Sequence, residues 1–236
     1  EEALLRPASS LWWSGAAAGL SIGFSLLTQA LLHTLLPDQP WRPILESFGY
    51  CTGFLIVVLA REQLFTENTL TAVLPLMADW NWTKLRLVLR LWGIVIVANM
   101  AGALVFAGFL RYAAVLAPET EAAAIDIGRQ LLANPPAMMF CKGIVSGWLI
   151  AAMVWILPSA EGSQFWVITL LTYLIALGGF THIVAGSVEA FLLLLAGKTS
   201  LVAVVGRFAL PTFLGNAAGG TALFALISYA QIKDEI

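Results

Sequence analysis

Two hydrophobic segments of this chain are interrupted at matching places in its two halves, and that pairing leaves few architectures open. The first interruption is Arg61-Glu62-Gln63-Leu64-Phe65-Thr66-Glu67-Asn68-Thr69; the second is Gly178-Gly179-Phe180-Thr181-His182-Ile183-Val184-Ala185-Gly186-Ser187. About one helix later each is followed by the same pattern, Asn99-Met100-Ala101-Gly102-Ala103 and Asn216-Ala217-Ala218-Gly219-Gly220. Thr66 to Asn99 is 33 residues, and His182 to Asn216 is 34. Paired broken helices in an internally repeated membrane protein place a solute pathway near the bilayer midplane.

The surrounding solvent is lipid. Charged residues make up 11% of the chain, against roughly a quarter in a soluble domain. Mean hydropathy is +0.88. A net charge of -2 offers no basic face to a nucleic acid. The stretches 7–37, 91–110, 143–160 and 208–232 are free of Asp, Glu, Lys and Arg, and read as four uninterrupted membrane helices. Residues 47–60 and 68–78 are each too short to cross and read together as one broken span. Residues 162–196 form the other, because Gly178, Gly179, Gly186 and Ser187 weaken a helix in its middle.

The expected fold is therefore an all-α integral membrane protein, one channel domain over residues 1–236. It has six segments in halves of about 10–115 and 131–232, with segments 2 and 5 broken. An odd number of segments per half inverts the second half relative to the first. Gly15, Gly19 and Gly23, like Gly143 and Gly147, recur every four residues and let helices approach closely. Lys84, Arg86 and Arg90 favour a cytoplasmic loop after segment 2, with both termini cytoplasmic. Glu119, Glu121 and Asp126 read as an external loop, against which Lys198 and Arg207 argue mildly. Trp12, Trp13, Trp41, Trp80, Trp82 and Trp166 read as interfacial anchors. Cys51 and Cys141 read as buried thiols rather than a disulfide. The first span is too long for a signal peptide, and the absence of Met at Glu1 leaves open a soluble segment ahead of it.

Polar groups at membrane depth are costly and need a reason. Broken backbone is tolerated there only inside the protein or along a wet cavity. The two breaks should thus face each other, bringing Thr66 beside His182. His182 titrates near neutrality and is a candidate proton donor to a weak-acid anion, with the Thr66 hydroxyl orienting its ring. The N-termini of the half-helices add positive potential. Arg61 and Glu67 read equally as a charged gate or as an ion-pair cluster, and Glu62 as part of that cluster. Lys142 or Glu189 is able to close such a network. Asn99 and Asn216 are expected to hold the loose backbone, and Tyr50, Phe54 and Ile175 to narrow the path. No metal, phosphate-loop or hydrolase motif is present, so neither a cofactor nor a metal is expected, and the chain does not read as an enzyme.

These residues resemble the formate/nitrite transporter family over about residues 10–232. The resemblance is carried by Leu64-Phe65-Thr66 with Asn68-Thr69, by Gly179-Phe180-Thr181-His182, and by Pro211-Thr212-Phe213-Leu214-Gly215-Asn216 with Gly219-Gly220. It implies an aquaporin-like protomer in a homopentamer of the bacterial inner membrane, each protomer passing small monovalent anions. It also implies Leu64 and Phe65 in a pore loop supported by Asn68, and two apolar constrictions near Tyr50, Phe54 and Ile175, with His182 protonating the solute between them. The chain departs from the family pattern at Thr181, Gly186, Gln164 and Glu67, and Tyr50 replaces a common Phe. Fewer cations and an added carboxyl make the entrance less attractive to anions. A neutral or differently charged solute is therefore a second reading, and a membrane scaffold or sensor a third.

Overall fold

A computed structural model describes residues 2–232, so residue 1 and residues 233–236 of the expected domain lie outside it. Every regular element among the described residues is helical. A short α1 (Glu2–Leu5) precedes α2 (Ala8–Leu35) and α3 (Arg42–Leu59). Then come α4 (Phe65–Thr71), α5 (Val73–Ala78), α6 (Trp82–Tyr112), α7 (Pro118–Leu132), α8 (Pro136–Ile156), α9 (Gln164–Leu177) and α10 (Ile183–Leu195). The final run is α11 (Leu201–Gln231), in which Val204–Ala209 and Ala218–Ala225 widen to π-helix. Pro211 accounts for the first widening: it lacks an N–H, and its ring crowds the carbonyl four residues back.

Five of these runs are long and apolar enough to cross a membrane: α2, α3, α6, α8 through Ser159, and α11. The four uninterrupted helices expected from sequence are all present. The broken segments differ from expectation in three ways. Segment 2 begins at Arg42, making α3 an 18-residue helix rather than a short half-span. The first break is confined to residues 60–64, because α4 already contains Phe65 to Thr69. The second is confined to residues 178–182, because Gly186 and Ser187 lie inside α10. Gly179 adopts a left-handed φ of 57° that turns the chain there.

The breaks are short because each is closed by one asparagine. Asn99 Oδ1 accepts the Phe65 N–H at 2.9 Å, while its Nδ2 donates to Gly15 O and Gln63 O. Asn216 Oδ1 accepts the Ile183 N–H at 2.8 Å, while its Nδ2 lies within bonding distance of Gly143 O and Thr181 O. The same contacts thus recur in both halves. Each asparagine satisfies a half-helix N-terminus and the carbonyl two residues before it, groups that lipid cannot serve.

Glycines bring the helices close enough for these bonds. A Cβ at Gly19 would strike Asn99 O, and one at Gly147 would strike Asn216 O. Across the same crossings, Gly102 lies against Ala16 O and Gly219 against Ile144 O. Gly19→Val is expected to force α2 from α6 and cost about 3 kcal/mol or more, since the obstructing atom is backbone. Thermal stability in detergent checks this; a variant as stable as the parent would contradict the crossing geometry.

α7 was not expected: residues 118–132 read as a loop. It starts with Pro118, carries Glu119 and Glu121 in its first turn, and buries Thr120, Ala123, Ala124 and Gly128. That stripe packs on α10 and α2, with a Cβ at Gly128 just 3.1 Å from Glu189 O. Both cysteines are free, as expected, but only Cys51 is buried; Cys141 is exposed.

Candidate functional site

The two breaks meet at Thr66 and His182. Leu64, in extended backbone, caps α4, so Thr66 falls in its first turn. His182 caps α10, and its Nδ1 accepts the Ala185 N–H at 3.2 Å. Thr66 Oγ1 lies 2.8 Å from His182 Nε2. With Nδ1 accepting, the bonding pattern assigns the proton of the neutral ring to Nε2, which donates to Thr66. Both residues are buried, and Phe54 stands edge-on to the imidazole with ring centroids 5.0 Å apart. Tyr50 is one helical turn away, its ring centroid 5.1 Å from that of Phe54.

A cavity lies toward either end of α3. The first, about 360 Å³, is lined among others by Tyr50, Lys142, Ile175, His182 and Glu189. The second, about 580 Å³, is lined among others by Val58, Arg61, Glu62, Glu67 and Gln164. Tyr50 on α3 and Ile175 on α9 belong to the first; Val58 on α3 and Ile168 on α9 belong to the second. The eight residues from Tyr50 to Val58 span about 12 Å of helix. Phe54, Cys51 and Thr172 are buried in that interval and line neither cavity.

Two partly polar cavities thus lie on either side of a closed, largely apolar interval, the neck, with one hydrogen-bonded threonine–histidine pair beside it. The sequence profile of the formate/nitrite transporter family matches residues 1–230. The chain belongs to the formate/nitrite transporter family. Among the relatives it resembles is the inner membrane protein YfdC of Escherichia coli (strain K12), 46% identical over 236 residues, covering 100% of this chain and 76% of the relative. The nitrite transporter NirC of Salmonella typhimurium is 25% identical, covering 95% of this chain and 84% of that one. A solved pentameric formate channel with formate bound shares the fold at a TM-score of 0.82 and 21% identity, covering 96% of this chain and 97% of that one.

The other expected site residues of this family member divide into supports and cavity groups. Asn99 and Asn216 are supports, as described. Leu64 and Phe65 are fully buried; Phe65 stacks on Phe213 at 4.9 Å and stands against Trp92. Asn68 donates to Gln63 Oε1, and its backbone carbonyl accepts the Trp92 Nε1–H. No ion-pair cluster forms around the first break: among the described residues Arg61, Glu62 and Glu67 make no ion pair, and Glu62 accepts from Ser21 instead. Lys142 Nζ donates to Asn134 Oδ1 at 3.0 Å and closes no network with Glu189.

Sequence reasoning missed Ser146 and Asn134. Ser146 donates to Thr181 O and accepts from Asn216. Its signal was present: Gly143, Ser146 and Gly147 form a small-residue face at helical spacing. Asn134 gave none, because its use depends on α7 bringing it back to α8.

Proposed function

We propose that this family member is a channel for small monovalent weak-acid anions of the formate and nitrite kind, acting in the bacterial inner membrane. The reading extends to a homopentamer in which each protomer, built of two inverted halves, carries its own path. The observation that carries it is the Thr66–His182 pair beside an apolar neck between two cavities. A bare anion entering that neck loses its hydration without compensation, whereas the neutral acid crosses at far lower cost. His182 serves the neck in two ways. In the neutral state its Nε2–H is a hydrogen-bond donor at the boundary. To hand on a proton it must first gain one at Nδ1, which gives up the bond from Ala185. With both termini cytoplasmic, the cavity containing His182 faces outward and the one containing Glu67 faces the cytoplasm.

The test is formate and nitrite uptake into proteoliposomes as a function of pH. Flux above empty liposomes should rise with acidity. In His182→Asn flux should fall about tenfold or more at every pH while the rise with acidity persists, because bulk protonation of the weak acid itself gains about tenfold per pH unit. Absence of both fluxes at every pH would overturn the anion reading. The composition of the second cavity favours an alternative in that case: among the described residues, Glu62, Glu67 and Glu161 line it against a single cation, Arg61. A neutral or cationic solute then becomes the better candidate, and a swelling assay with uncharged solutes identifies it.

A further inference from the structure

We propose that Glu189 and Glu67 are the proton-exchanging groups of the path, one in each cavity, and that together they make each anion cross with one proton. The inference rests on the channel reading above. Glu189 follows His182 by seven residues on α10, and Gly186 lies between them on the same face of the helix; all three line the first cavity. Glu189 is 8% exposed. Among the described residues it makes neither a hydrogen bond nor an ion pair, and it lines the first cavity. Glu67 follows Thr66 on α4 and lines the second cavity. Its Oε1 is buried with no hydrogen-bond partner.

The remaining carboxyls of the two cavities each have a side-chain partner or are exposed. Glu46 Oε1 is 3.0 Å from His33 and 2.9 Å from Arg42. Glu62 Oε1 accepts from Ser21 while its Oε2 is buried without a hydrogen-bond partner, and Glu161 is exposed. Around Glu189 the first cavity offers His33 and Glu46, already paired, together with Tyr50, Lys142 bound to Asn134, and His182. Of the other helices packed on α10, α6 and α11 contribute nothing to the lining, and α7 contributes no titratable side chain. Asp126 and Arg129 of α7 pair with each other, Arg111 of α6 pairs with Glu121, and Arg207 of α11 is exposed. Around Glu67 stand Arg61, Glu62 and Glu161.

An ionisable group at membrane depth without a fixed partner is free to exchange its proton with whatever occupies its cavity. His182 is poorly placed as the immediate acid, since its neutral ring has only the Nε2–H that binds Thr66. Glu189 fills that role. Its carboxyl O–H breaks as an O–H forms on the anion, leaving a carboxylate and a neutral weak acid. The acid passes the neck. In the second cavity its O–H breaks, Glu67 takes the proton, and the anion departs. Glu67 then releases its proton to water on that side, and hydronium on the other side restores Glu189. Charge and protons balance: one anion and one proton move together.

The experiment is formate uptake by the full chain in proteoliposomes, with internal pH and membrane potential read together, comparing wild type, Glu189→Gln, Glu67→Gln and the surface control Asp126→Asn. Wild type and the control should be electroneutral. Each glutamine variant should lose uptake by about a hundredfold, the scale of a removed proton-transfer group. Formate uptake with wild-type rate and pH profile in both glutamine variants overturns the proposal while leaving the channel reading intact. Infrared difference spectra across a pH titration decide the matter without any substrate. Two titrating carboxyl bands, one lost in each variant, support the assignment; unchanged spectra in both variants overturn it even if no formate moves.

Discussion

Asn216→Leu is expected to destabilise the folded protein strongly. The side chain is fully buried, and its amide holds α8, the second break and the start of α10 together. Leucine has similar bulk but neither accepts the Ile183 N–H nor donates to Gly143 O, Thr181 O or Ser146 Oγ. An unsatisfied buried group costs about 1–3 kcal/mol. Interhelical bonds in membranes are often weaker, averaging about 0.6 kcal/mol by double-mutant cycles. The N–H at the mouth of α10 has no alternative partner, so a total of about 3 kcal/mol is expected. Asn216→Asp should be milder, because it keeps the acceptor. Size-exclusion profiles after graded heating test the ranking, and an Asn216→Leu protein as heat-resistant as wild type would refute it.

Phe54→Ala is expected to convert the neck into a continuous passage. Phe54 is fully buried, in van der Waals reach of His182 on one side and Tyr50 on the other, and lines neither cavity. Removing its ring leaves the apolar interval along α3 without its largest member. On the proposed function, the desolvation barrier falls, and each 1.4 kcal/mol of that fall is worth about tenfold in flux. Formate flux should rise at least about tenfold, and the preference for formate over the larger acetate should weaken. The truncation also carries a stability cost of about 3–5 kcal/mol, so Phe54→Leu provides a gentler comparison with the same direction of change. Unchanged flux and size selectivity in a folded Phe54→Ala protein would move the constriction elsewhere.

Much of the site was legible before any coordinates. The spacing from each break to its asparagine anticipated that Asn99 and Asn216 would support the loops, and the structure shows each accepting a half-helix N–H. The argument that broken backbone must be buried in protein anticipated Thr66 beside His182. The extent of the breaks was overestimated because low helix propensity was read as absence of helix. Gly186 is helical despite its propensity: a Cβ there would strike the Phe208 ring and Leu131, so packing needs the glycine where it is. α7 was missed for the opposite reason, since its charges hid a buried stripe. Its start signals, Pro118 followed by Glu119 and Glu121, were nevertheless in plain view.

By itself, then, the order of residues determined that the chain lives in lipid, that its two breaks share one pattern with an asparagine behind each, and which four polar residues sit at the centre. Those conclusions follow from transfer free energies and from backbone hydrogen bonding, which depend on residue type and spacing alone. Only the tertiary structure decided which charged residues near the breaks find partners. Arg61, Glu62 and Glu67 lie close together in sequence yet, among the described residues, make no ion pair, and Glu189 and Lys142 line one cavity without an ion pair between them. Pairing depends on distances across helices of a few ångströms, and those are set by glycine crossings and by α7, not by the sequence near each charge.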